Sequence, residues 1–302
     1  MLVVGIVNSV RNRELTPPTE VEIENRFHPQ NGGADKFLEF LNEELVPFIN
    51  KRYRTRQYKI LIGHSLGGLF ALHALTRHNT FNAYILADPT LVWNNQVAVK
   101  EAERFVASTK EANTDLYITA TGESGTAMSA IDTLCAALDS YHVNGFRWTF
   151  KLMPEETHLS IPHLSIYSGL DHIFDRWHLA NRLQLFDEGG LEAIHRHFRE
   201  GGKRYGYDRQ TPPQVVALLV ADLIASLRLD EAADVLLHDE RNYPAPWNQL
   251  DALARAYEQQ GKEDQAITFY KLSLGKNPKN EWAKRKLAEF GVDRNKRSVP
   301  QR

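Results

Sequence analysis

A serine becomes a nucleophile only where a base can take its proton and where amides can hold the oxyanion that its attack creates. Ser65 stands in Gly63-His64-Ser65-Leu66-Gly67-Gly68. The apolar run Ile60-Leu61-Ile62 precedes it, and Leu69, Leu72 and Leu75 follow at helical spacing. Strand, sharp turn and helix in that order make a G-x-S-x-G nucleophile elbow. Gly63, Gly67 and Gly68 leave room where a Cβ would clash with the strained turn. The elbow lifts the Ser65 hydroxyl to the carboxyl edge of a sheet and aims the Leu66 amide, at a helix N-terminus, at a developing oxyanion. His64, next to the nucleophile, is expected to face substrate. The bland alternative is a glycine-rich strand-to-helix turn without chemistry.

The base and the group that orients it should follow in the order serine, acid, histidine. The histidine belongs in the loop after the last strand, and Met153-Pro154-Glu155-Glu156-Thr157-His158 follows the strand-like Arg147–Leu152, which makes His158 the base. His163 is its rival, but it follows Pro162 at a helix start, where an exposed or capping role is the simpler reading. The acid is expected after the preceding strand, where Glu123 is the carboxylate of Thr121-Gly122-Glu123-Ser124-Gly125. Asp132, within the next helix, and a dyad without an acid stay open. Trp93, in Ala87-Asp88-Pro89-Thr90-Leu91-Val92-Trp93, and Arg11 and Arg13, in the loop after the first apolar run, reach the same sheet edge as candidate substrate-binding residues. A packed tryptophan and surface arginines are the alternatives.

Positioning these groups takes a layered scaffold. Leu2–Val7 reads as a buried strand, and the long polar stretch from Asn8 to Gly33 reads as a functional loop. Ala34–Tyr53 is an amphipathic helix with Phe37, Leu38, Leu41, Leu45, Phe48 and Ile49 on one face. Strands near Ala83–Ala87, Leu116–Ala120 and Arg147–Leu152 alternate with helices near Val97–Ser108 and Ala127–Tyr141, and Pro162–Trp177 adds one more helix. Such alternation means right-handed crossovers and a parallel sheet covered on both faces.

From about Ala180 helical periodicity takes over. Leu219, Leu223, Ala232, Leu236 and Pro244 reappear 34 positions later as Leu253, Tyr257, Ala266, Tyr270 and Pro278. A helix, turn, helix unit of that length is the tetratricopeptide period, with Gly261 at the turn of the second unit. A covering helix is expected from Asn280, with Trp282 on it, and a basic, disordered tail from Arg294. The expected division is an α/β domain over residues 1–178, a helical connector over 179–212 and repeats over 213–302.

A net charge of −2 gives no electrostatic case for nucleic acid or an anionic membrane as main partner. No apolar run reaches the ~20 residues of a membrane span, and Met1–Ile6 runs into polar residues unlike a secretory leader, so a cytoplasmic location is expected. Cys135, the lone cysteine, sits among Leu134, Ala136 and Ala137 as a small buried helix residue. Neither zinc spacing nor a nucleotide-binding glycine motif occurs, so no metal or cofactor is expected.

Taken together, VVGI followed by RNRELTPP, the helix FLEFLNEELVPFINKRY, GHSLGG, DPTLVW and EETHLSIPHLSIYSGL resemble the putative-esterase branch of α/β hydrolases, which includes siderophore (enterobactin-type) esterases. The resemblance covers residues 1 to about 177. It implies carboxylic-ester hydrolysis by Ser65 with His158 as base and Glu123 as acid, and, in the siderophore branch, a basic pocket wall for an anionic substrate. In that family the strand resembling Leu2–Val7 is the fourth, and the third lies between it and the elbow strand and precedes the loop that gives the second oxyanion amide. The chain starts at the fourth, so a sheet lacking its N-terminal strands is expected: a five-stranded remnant, truncated relative to a longer protein and stripped of any signal peptide that protein carried. A serine esterase acting on a small-molecule ester is the leading reading. The runner-up is a crippled hydrolase fold that binds without turnover, with the repeats recruiting a protein partner or a second copy.

Overall fold

Residues 1–77, 80–122, 125–177, 179, 181–238 and 244–292 are described by the computed structural model. Four strands, β1 (Ile60–His64), β2 (Ala83–Ala87), β3 (Glu111–Ala120) and β4 (Asn144–Leu152), pair in parallel and in chain order. Side chains alternate across a pleated sheet, and here the alternation divides two cores. Tyr84, Leu86, Leu116 and Ile118 join α5 (Leu66–Arg77), α6 (Trp93–Ser108) and α7 (Thr126–Ser140) on one face. Ala83, Ile85 and Tyr117 point to the other, where Ile173 of α8 (Ile161–Ile173) and Tyr205 cover them. Parallel strands buried on both faces need continuous apolar sequence, and β2 is buried at every position.

The expected fifth strand does not form. Leu2–Val7 is without strand pairing and exposed, with Val7 95% accessible. A β-branched run becomes a strand only beside an open ladder, and in the family pattern another strand stands between this stretch and β1. None of the described residues fills that place, so β1 is a sheet edge. The loop that follows is more ordered than a plain connection, carrying α1 (Arg11–Leu15) and α2 (Glu22–Phe27). The amphipathic helix is found as α3 (Ala34–Phe40) and α4 (Val46–Arg52), joined by a π-helical turn over Leu41–Leu45. Pro47 lies just after that turn. Its ring would crowd the carbonyl four residues back in a regular helix, and a wider turn relieves the clash.

The chain divides into two units: Met1–His178 with Arg204–Tyr207, and Leu179–Lys203 with Asp208 onward. The second contains α9 (Arg182–Arg204) up to Lys203, α10 (Pro213–Ala225), α11 (Leu229–His238), α12 (Trp247–Gln259), α13 (Glu263–Lys276) and α14 (Glu281–Glu289). Leu219, Leu223, Leu236, Leu253, Tyr257 and Tyr270 share its core, with Ile194 and Phe198 of α9. The two turns repeat down to their hydrogen bonds. Leu227 and Arg228 amides donate to Ile224 and Leu223, as Gly261 and Lys262 amides do to Glu258 and Tyr257. Both turn residues are left-handed, Leu227 at φ 58° and Gly261 at φ 71°. The Asn280 side chain caps α14 by accepting from the Ala283 amide, and Trp282 packs partly against the core. The expected basic tail from Arg294 lies outside the described residues. No described helix is long and apolar enough to cross a membrane.

Candidate active site

At the end of β1 the chain turns through Ser65 at φ 59°, a left-handed conformation that costs a side-chain-bearing residue energy. The Ser65 amide still donates to the Ala87 carbonyl at 3.0 Å, so the parallel ladder carries one rung past the strand. α5 begins at once, with the amides of Gly68 and Leu69 donating to the Ser65 carbonyl. A Cβ on Gly63 would lie 1.9 Å from the Gly67 oxygen, and one on Gly68 would lie 2.7 Å from the Pro89 Cβ. The glycines are therefore what lets the strand, the helix and the neighbouring loop approach. Leu66 opens the helix, and its amide is one of the first-turn donors that an α-helix leaves without an intrahelical partner.

The next strand ends the same way. Asp88 follows β2 at φ 43°, its amide donating to the Thr119 carbonyl at 2.9 Å. Its Oδ1 accepts from the Thr121 amide at 3.3 Å, and its Oδ2 accepts from His158 Nδ1 at 2.6 Å. Because His64 pairs with Ala87 in the sheet, Ser65 and Asp88 stand on the same rung of adjacent strands. His158 sits in the loop after β4, anchored where the Met153 amide donates to the Ala120 carbonyl. Thr157 and Ser160 brace the loop, each amide donating to the other's hydroxyl. With Nδ1–H held by Asp88, the imidazole presents Nε2 as its acceptor. Its ring lies 4.4 Å from that of His64, the residue before the serine. Ser65 Oγ shares its hydrogen bond with Thr90 Oγ1 at 3.2 Å and makes no direct bond to His158.

His64 holds its proton less tightly than an ordinary histidine, chiefly through burial and secondly through the charge of His158. A hydrogen bond with the His158 backbone and the Asp88 carboxylate oppose the shift, and Arg11 adds to it. Its Nε2 is buried without a partner. Arg11 is exposed, and its charge reaches His64. Arg13 is also exposed and contacts Glu14 at 3.3 Å. Trp93 is buried, with its indole N–H donating to the Pro17 carbonyl at 2.9 Å, so it pins the long loop to the core. His163 donates its Nδ1–H to the Ser160 carbonyl from the first turn of α8, a helix-end contact. Asp132 is exposed on α7 and bears on Cys135. Glu123 lies outside the described residues.

The carboxylate that meets His158 is thus Asp88, which is not among the acids expected from the sequence. The expected position follows β3, whereas Asp88 follows β2. Two signals were legible: Asp88 keeps the order serine, acid, histidine, and it occupies a strand-end position before a proline, where aspartate tolerates a left-handed turn better than most residues. Beside the pair lies a cavity of about 130 Å³. Asp88, Thr90 and His158 form its polar side, and Val92, Met128 and Ile131 its apolar side.

Residues 3–119 match the family described as Putative esterase, and residues 247–290 match a tetratricopeptide repeat. Over 118 residues the chain is 36% identical to the ferri-bacillibactin esterase BesA of Bacillus subtilis, a stretch covering 37% of this chain and 41% of that protein. Over 107 residues it is 40% identical to the siderophore enterobactin esterase of Emericella nidulans, covering 32% of this chain and 35% of that protein. The chain therefore spans about two-fifths or less of the length of these curated relatives. Among solved structures, an IroE-like serine hydrolase from Shewanella oneidensis superimposes with a TM-score of 0.58 at 24% identity, covering 76% of this chain and 75% of that one. The sheet, its helices and the repeat-bearing second unit together make an α/β-hydrolase fold followed by a tetratricopeptide-like helical region.

Proposed function

We propose that the chain, as a relative of siderophore esterases, is a serine hydrolase that cleaves carboxylic esters through an acyl-enzyme, with Ser65, His158 and Asp88 as its triad. One observation carries the reading: a 2.6 Å Asp88–His158 pair stands beside a serine held at φ 59° on the same rung. The mechanism requires the Ser65 hydroxyl to turn about χ1 from Thr90 toward His158 Nε2. The imidazole takes the proton as the Ser65 oxygen bonds the ester carbon, and Asp88 stabilises the imidazolium and fixes its tautomer. The Leu66 amide donates to the oxyanion. The imidazolium then returns the proton to the departing alcohol oxygen, and water repeats the cycle to release the acid.

The substrate is an anionic, siderophore-type ester. The relatives' names support that class, and Arg11, exposed and near His64, supplies a cationic wall. The helical second unit adds no chemistry and serves a protein partner or a second copy of the chain, a role supported by its repeat match.

Fluorophosphonate labelling and turnover of a short-chain aryl ester test the proposal. Ser65→Ala should abolish both without loss of fold. A wild-type chain that neither labels nor turns over the ester would return the hydrolase unit to a binding role. Asp88→Asn should cost about 10²–10⁴ in kcat, whereas Glu123→Gln should stay within about threefold of wild type; the reverse ranking would move the acid to Glu123.

A further inference from the structure

We infer that the cavity beside the Asp88–His158 pair is the subsite for the leaving alcohol, and that it encloses about the six heavy atoms nearest the scissile oxygen, the rest of the alcohol projecting into solvent. This rests on the triad proposed above and adds a side and a size to the substrate. During acylation the acyl carbon is bonded to Ser65 and its oxygen is held by Leu66. Neither residue lines the cavity. The oxygen that leaves is the one that accepts the proton from His158, so whatever hangs on that oxygen must lie along His158. The imidazole is part of the cavity wall, and Thr90, the present partner of Ser65 Oγ, stands at the same rim.

The lining sets the chemical class. Beyond the polar rim the walls are Val92, Ala120, Met128 and Ile131, with Ala127 exposed at the edge. Ile131 is almost fully buried and fixes the floor, whereas Met128 is half-buried on a side chain that adapts to its contacts. At about 130 Å³ the space is a little smaller than the ~150 Å³ apolar cavity known to take a benzene ring. A short alkyl chain or a single small ring fits, and a chain of eight carbons projects into solvent.

Two ester series separate the alcohol from the acyl side. In the first, acetates of methanol through octan-1-ol vary the alcohol; in the second, methyl esters of acetic through octanoic acid vary the acyl group. In the wild-type chain kcat/KM should rise about tenfold from methyl to butyl or pentyl acetate and stop rising beyond hexyl. Ala127→Phe, which crowds the rim, should lower hexyl acetate at least tenfold relative to methyl acetate. Met128→Ala, which widens the space, should move the optimum one or two carbons longer, so the inference does not depend on one variant. A shift confined to the acyl series would assign the cavity to the acyl group, and equal behaviour of both series in both variants would show it unused; either overturns the subsite. Failure of the underlying triad looks different, because the wild-type chain would then fail on every ester and resist fluorophosphonate.

Discussion

Asp88 meets His158 through the geometry of the sheet and not through any local sequence pattern. Its sequence neighbours, Ala87 and Pro89, announce a strand end and a turn, and only the sheet register reveals that this end shares a rung with Ser65. The strand, left-handed turn and helix around Ser65, and the position of His158 in the loop after β4, were legible because each is tied to a local pattern. The pairing of Asp88 with His158 was not, because the two lie 70 positions apart along the chain. His64 carries a consequence for pH. Its folded form binds a proton less readily than its unfolded form, so below an ordinary histidine value of ~6.5 the unfolded chain holds the extra proton. Stability therefore rises with pH through that window and falls on acidification. His172, shifted in the same direction by burial and then by Arg147, adds to the slope. His64→Asn should make the urea midpoint fall less between pH 7.5 and pH 5.5 than in wild type; an unchanged slope would remove His64 from the account. Cys135 gives a simpler test. Burial, then Asp132 and Asp139, push its thiol up to about 11, so at pH 8 only about one thiol in 10³ is ionised. Cys135→Ser should leave ester turnover within about twofold, and slow alkylation of the wild-type thiol by iodoacetamide should accompany it.

At the scale of elements, periodicity told helix from strand wherever an element meets its partner nearby. β2, the first half of the elbow and the 34-residue repeat all came from spacing alone. Leu2–Val7 failed the same logic because strand-forming sequence needs an adjacent ladder, which no local pattern reports. The π turn before Pro47 and the left-handed start of α6, where Asn94, Asn95 and Gln96 all have positive φ, were equally hidden. The regular turns of α6 begin only at Val97, the position at which helical spacing starts in the sequence. Gly63→Ala should cost about 3 kcal/mol or more and abolish labelling of Ser65, since its Cβ meets immovable backbone of Gly67. A stable, reactive variant would mean that the elbow can reopen. The repeats make the opposite forecast. Leu227 holds by strain the left-handed position that glycine holds in the second unit, and it is exposed. Leu227→Gly should raise the stability of the helical unit by about 0.5–1 kcal/mol, read as an upward shift of its urea midpoint.

At the scale of the whole molecule the sequence announced two kinds of architecture, and the structure adds that the division between them is not one point on the chain. Arg204–Tyr207 returns to the first unit after the α9 residues assigned to the second. Asp115, at the end of the sheet away from Ser65, is almost wholly buried and receives Arg147 at 2.7 Å, Arg204 at 2.6 Å and the Tyr58 hydroxyl at 2.9 Å. Tyr205 beside them has no solvent exposure and donates to the Ile173 carbonyl. Ending a recombinant fragment at residue 178 would therefore strip one of two guanidinium groups from a buried carboxylate and uncover a sheet face. Removing one partner of such a pair costs about 3–5 kcal/mol. A fragment of residues 1–207 should unfold at a distinctly higher urea concentration than one of residues 1–178, and equal midpoints would show the returning strap to be dispensable. The α/β unit is in this sense written in two separate passages of the gene, and a recombination that exchanges the helical array for another must carry the second passage with it.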